Sequence, residues 1–213
     1  MDERATGLIL RTRALTETSL IVHWLTASLG RVATVAKGAR RPKSPFRGKL
    51  DLFYLADFSF IRSRRTELHT LREVAVRATP HALRRDLACL QQAAYAALLI
   101  EQTTETDTPL PEIYELLSQL LRHLPQQPPQ PQTVFAFELK LLRELGQSPD
   151  LAASKLHPGT RQILARLTEL DWPALAHLQS SPAQRGEMQQ FLHNFLLYHL
   201  GRIPSGRSAA LGC

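Results

Sequence analysis

Between residues 37 and 49 six side chains are cationic and none is acidic: Lys37, Arg40, Arg41, Lys43, Arg47 and Lys49. The same run holds Gly38, Pro42, Pro45 and Gly48, which exclude a helix interior or a central strand. Charge gathered in a loop without internal acids calls for an outside anion, and the commonest polyanion is the nucleic-acid backbone. Arg40 and Arg41 suit two-pronged contact with phosphate oxygens, while Lys37, Lys43 and Lys49 act as point charges. Gly38 and Gly48 would let the backbone approach a ligand closely. The plainer alternative is a solvated loop with no partner.

Two smaller basic sets lie nearby in sequence, Arg11 with Arg13, and Arg62 with Arg64 and Arg65. Base stacking needs aromatic rings, and Trp24, Phe46 and Tyr54 are the candidates. Phe46 is the best of them, because inside a charged loop no core is expected to hold it. Trp24, Phe58 and Phe60 read as core. Aromatic residues make up only 7% of the chain, so phosphate contact should dominate over stacking. Neutralising about four phosphates of a single strand predicts a slope of about −3 in log K against log salt.

Catalytic chemistry has little support. The eight His are scattered, no His-Glu-x-x-His occurs, and two remote cysteines, Cys89 and Cys213, make neither a zinc site nor a disulfide framework. A nuclease would need clustered carboxylates to hold metal, and the basic third offers isolated ones such as Asp51 and Asp57. Cys89 lies on a helical stripe and reads as packed core. The cysteine usage points to a reducing cytoplasm, the residues after Met1 do not form a signal peptide, and no run is apolar enough to span a membrane.

The charge is segregated. Residues 1–79 carry 15 Lys and Arg against 7 Asp and Glu, a net of +8, whereas residues 80–213 carry 11 against 12. A dedicated anion-binding module joined to a neutral partner fits that division. Periodicity agrees. Five strands are expected, over 8–13, 19–26, 32–36, 50–61 and 68–77, with Arg62, Arg64 and Arg65 in the last turn. Five strands in some 75 residues with a basic crossover fit a small closed barrel of the OB-fold type, which binds oligonucleotides through strands two and three and the loops flanking them. On that arrangement the three basic clusters would converge on one side.

From His81 onward the period is helical. Leu83, Leu87, Leu90, Ala94 and Leu98 form one stripe, and Ile113, Leu117, Leu120 and Leu124 another. Residues 125–132 read as a polyproline connector. Helices are expected over 134–145, ending at Gly146, over 163–170, and from Ser181-Pro182 with Phe191, Phe195, Leu196 and Leu200 buried. Residues 201–207 read as a terminal tail. The fold class is α+β: an OB-fold domain over 1–79, then an all-α domain over 80–213.

Several segments make the chain similar to the RecO family of bacterial recombination mediators. They are Glu17-Thr18-Ser19-Leu20, Leu29-Gly30-Arg31-Val32, Ala36-Lys37-Gly38-Ala39-Arg40-Arg41-Pro42-Lys43-Ser44, 67–73, and the closing 197–204. The resemblance implies binding of single- and double-stranded DNA and annealing of complementary strands. It also implies action with RecR to load RecA onto strands coated by single-strand binding protein, whose acidic C-terminal tail docks on the helical domain. Lys37, Arg40, Arg41 and Lys43 carry over, with Arg31 beside them. Many relatives have a four-cysteine zinc element after the helix ending here at Gly146. Residues 147–160 contain no Cys, so no cofactor is expected and apolar packing should hold that element instead. The reading is a non-enzymatic, cytoplasmic DNA-binding mediator. Its rivals are an RNA-binding OB module and an adaptor acting through the helical domain.

Overall fold

The computed structural model describes residues 2–212; Cys213 lies outside them. The chain divides into two compact units. The first runs to His81 and includes Thr104–Glu115, and the second holds Ala82–Thr103 and the chain from Leu116 onward.

In the first unit five strands close a barrel in the order β1-β2-β3-β5-β4: β1 Asp2–Ala14, β2 Leu20–Thr26, β3 Gly30–Ala36, β4 Leu55–Ile61 and β5 Leu68–Ala78. This is an OB-fold barrel, as expected. β1 is long because it serves two neighbours. Gly7 is where it changes partner, facing both Thr26 and Ala56. A Cβ there would sit 2.9 Å from the Leu25 carbonyl oxygen and 3.2 Å from the Phe58 ring, so a larger residue would push the strands apart. A break in register between Ile9 and Arg11 bends β1 further. The barrel closes through a short parallel pairing, Ala33–Val35 of β3 with Leu68–Thr70 of β5.

Inward residues meet in one aromatic column. Trp24 stacks on Phe58 with ring centroids 4.0 Å apart, Phe58 on Phe60 at 5.7 Å, and Phe60 on His69 at 5.3 Å. The buried indole N–H of Trp24 donates to Thr34 Oγ1 at 2.9 Å, satisfying a donor that the core would otherwise strand. The fourth strand starts five residues later than expected. Phe53 takes a φ of +62°, which breaks the extended run, and Phe53 and Tyr54 instead exchange backbone hydrogen bonds with Ile9.

The second unit is helical: α1 Leu87–Thr103, α2 Pro111–His123 (from Leu116), α3 Pro131–Glu144, α4 Pro158–Glu169, α5 Trp172–Leu175, α6 Pro182–Leu200 and α7 Arg207–Leu211. α3 is its centre, packing against α1, α4, α5, α6 and α7. The Ser181 cap is built as expected, with Gln184 completing a reciprocal capping pair. Gly146 follows α3 with a φ of +68°.

Three helical expectations need correction. The stripe through Leu87, Leu90, Ala94 and Leu98 is not the buried face of α1: Leu87 is 70% exposed, and Ala93, Ala96 and Ile100 are buried instead, together with Cys89, which is core as expected. α1 is apolar nearly all round, so periodicity could not set its phase. On α6 Leu196 is buried as expected, but Met188 and Leu192 join it, while Phe191, Phe195 and Leu200 are half-exposed. The proline connector is shorter than expected. Residues 124–126 form a 3₁₀ turn, and Pro131 opens α3, a position where its missing N–H has no consequence. Among the described residues no helix is long and apolar enough to cross a membrane.

Candidate nucleic-acid interface

The 37–49 loop is ordered by a succession of tight turns. Backbone N–H groups of Ala39, Arg41, Ser44, Arg47 and Lys49 each donate to the carbonyl three residues earlier. Gly38 and Gly48 take φ values of +68° and +72°, so the turns themselves require them. The first half of the loop is tied to the β1–β2 turn: Arg40 N–H donates to Thr18 O at 2.9 Å, Arg40 Nη1 to Thr16 O at 3.2 Å, and Gly38 N–H to Ser19 Oγ at 3.3 Å.

Phe46 overturns the stacking expectation. It is 7% exposed and belongs to the barrel core with Trp24, Phe58 and Phe60. The ring is an anchor that pins the loop to the barrel, a role that a charged neighbourhood disguised. Tyr54 is half-buried against the same core, and Trp24, Phe58 and Phe60 are core as expected.

The cations fall into three groups. Lys37, Arg40, Arg41, Lys43 and Arg47 are exposed, and among the described residues none of them, nor Lys49, forms an ion pair. Arg47 Nη1 folds back to Pro42 O at 3.3 Å. Arg64 and Arg65 are also exposed. Arg62, in contrast, is neutralised. It grips Glu3 at 2.8 and 3.1 Å and reaches Asp107 at 2.6 Å, and both carboxylates raise its pKa. Arg31 is half-buried and donates to the carbonyl of Thr104, while its own carbonyl accepts from Asp107 N–H at 3.0 Å. Sequence reading missed both partners because Asp107 and Thr104 lie far along the chain, between α1 and α2.

Topology sets the basic clusters at opposite ends of β3. β5 runs parallel to β3, so the β4–β5 turn carrying Arg62, Arg64 and Arg65 lies toward the Gly30 end of β3. The basic loop leaves from the opposite end, at Ala36. Between them Arg11 and Arg13 stand on β1 beside β2, paired with His23 and Ile21. His23 registers this surface. Its pKa is lowered to about 4, first by burial and then by the positive fields of Arg11, Arg13 and Arg31. The cations therefore form a band along β1–β2–β3 with a dense end at the loop.

Two comparisons bear on what this band belongs to. The family model described as Recombination protein O N terminal matches residues 1–80, and that described as Recombination protein O C terminal matches residues 84–154. The DNA repair protein RecO of Anaeromyxobacter dehalogenans (strain 2CP-C) is 35% identical over 96% of this chain and 94% of its own length. The chain belongs to the RecO family. The DNA repair protein RecO of Rhodopirellula baltica is 34% identical over 67% of this chain but only 53% of its own length. That of Bacillus subtilis is 29% identical over 71% and 58%.

Within this RecO family chain the segment after α3 is tied down by polar contacts, with Leu151 and Leu156 half-buried beside them. Asp150 accepts from Ala152 and Ala153 N–H, Arg161 donates to Ala152 O, and Glu187 of α6 accepts from His157 N–H at 2.8 Å and from the Thr160 hydroxyl. Among the described residues no three His, Cys, Asp or Glu side chains are grouped as metal ligands. Cys89 is buried and donates to Leu124 O, and burial raises its pKa.

Proposed function

We propose that the chain is a non-enzymatic mediator of recombinational DNA repair. It binds single- and double-stranded DNA, anneals complementary strands, and acts with RecR to place RecA on strands coated by single-strand binding protein. The observation that carries the reading is the ordered loop of cations, Lys37 to Lys49, with no carboxylate partner among the described residues. Relatives across the matched length are named DNA repair proteins.

The mechanism is electrostatic. A strand docking along β1–β2–β3 displaces condensed counterions, and the entropy of their release drives binding. Burial of Phe46 and Trp24 removes the two best rings from solvent, so contact rests on phosphates and is indifferent to sequence. Two strands lying within about 10 Å of shared cations at 0.1 M salt lose much of their mutual repulsion, which favours pairing.

The test is the combined variant Lys37→Ala, Arg40→Ala, Arg41→Ala, Lys43→Ala, titrated with single-stranded DNA across ionic strengths. Weakened binding with a shallower salt slope and unchanged folding is expected. Unchanged affinity would remove the loop from the site. Matched single-stranded RNA competing better than DNA would favour an RNA-binding module, and capture of single-strand binding protein lacking its acidic tail would contradict the proposed partner contact.

A further inference from the structure

A groove of about 950 Å³ opens on the first unit, walled by Arg4–Thr6 of β1, Asp57–Ser59 of β4, Arg72–Ala75 of β5 and the second half of the basic loop. Its cations are Arg4, Lys49 and Arg72, and among the described residues none of the three forms an ion pair. Of its two carboxylates, Asp57 is already taken by the Thr6 hydroxyl and Arg77, which hold its pKa down, and Glu73 is the other. Between them Phe46, Phe58 and Val74 belong to the buried core and Ala5 is half-buried.

The loop divides at Phe46. Its first half is bonded to the β1–β2 turn through Arg40 and Gly38, and its second half presents Lys49 to the groove. One thirteen-residue segment thus supplies cations to two surfaces. We propose that the groove is a second single-strand site, so that the barrel holds two nucleic-acid strands on either side of one loop. This rests on the DNA-binding function above and adds a location for the second strand. Phosphates lie on Arg4, Lys49 and Arg72. Contact through phosphates alone is indifferent to sequence, so the groove can take any strand complementary to the first. Lys49 and its loop neighbours sit between the two strands and screen their repulsion during pairing.

The experiment uses the full chain and labelled oligo-dT too short to bridge both sites, with binding stoichiometry and annealing rate as readouts. The wild-type protein should take two strands per chain. The Arg4→Ala, Arg72→Ala variant should take one with little loss of first-strand affinity, and anneal complementary strands roughly tenfold more slowly. Both positions are exposed strand residues, so folding is not at issue. Arg4→Lys, Arg72→Lys should restore annealing, since point charges suffice. Wild-type stoichiometry and annealing in the double-alanine variant would overturn the second site while leaving the loop's role intact. Unchanged first-strand affinity in the four-alanine loop variant would instead strike the proposed function itself. Displacement of only the second strand by polyglutamate, with annealing undisturbed, would make the groove a site for acidic peptide and refute the proposal.

Discussion

In the basic loop Arg40 and Arg41 stand in solvent, bonded at most to backbone carbonyls. In the helical unit Arg207 is 6% exposed and donates to Glu138, itself fully buried, at 2.7 and 3.0 Å, while the Tyr95 hydroxyl donates to the same carboxylate at 2.6 Å. Burial works against the charge on Arg207, but Glu138 more than restores it, and its pKa lies above the ordinary arginine value. The same residue type therefore serves opposite ends. A cation whose counter-ion is built into the fold joins α1, α3 and α7 and has nothing left to offer a ligand. A cation without one is available to an outside anion. Arg62, neutralised by Glu3 and Asp107, belongs with the first kind although its position in the barrel suggested the second.

Arg207→Ala strands a buried carboxylate, and stability in urea should fall by about 3–5 kcal/mol. Strand affinity at a temperature where the variant is folded should not change; a loss there would mean that Arg207 also serves the interface. Phe46→Ala should lower stability by about 3 kcal/mol through the cavity it leaves, and loosen the loop. Phe46→Leu separates anchor from stacker. An anchor keeps most of its stability and DNA affinity as Leu, whereas a stacking ring would lose affinity alone.

The four-alanine loop variant should lose about a hundredfold in single-strand affinity near 0.1 M salt, with its salt slope flattened from about −3. Its urea midpoint should stay within about 0.5 kcal/mol of wild type, because no buried contact is removed. The smallest effect concerns His23. Unfolded, it takes up its proton near 6.5; folded, near 4. Between those values the unfolded chain binds more protons, so stability declines as pH falls from 6.5 toward 4, by roughly 2 kcal/mol after allowing for partial solvent screening. His23→Gln should flatten that dependence. A bound strand, by offsetting Arg11, Arg13 and Arg31, should raise the His23 pKa, which NMR titration with and without oligonucleotide would measure.

The barrel was legible because its strands alternate and its turns are punctuated by Gly, Pro and charge, both local properties. The density of cations between Lys37 and Lys49 was equally plain. Phase was harder where apolar residues surround a helix. On α1 and α6 several stripes satisfy the same period, and only packing against α3 and its neighbours selects Ala93 and Ala96, or Met188 and Leu192. The 201–207 segment reads as a tail because its single informative residue, Arg207, finds its partner 69 positions away.

The order of local residue types settled the barrel, the helical remainder, the caps at Ser181 and Gly146, and the concentration of positive charge. Tertiary structure alone decided which charges are free. Neutralisation of Arg62 by Asp107, engagement of Arg31 by Thr104, pairing of Arg207 with Glu138, and insertion of Phe46 into the barrel all join residues remote in the chain. Electrostatic pairing and burial depend on distance in space, and no local pattern of residues encodes that.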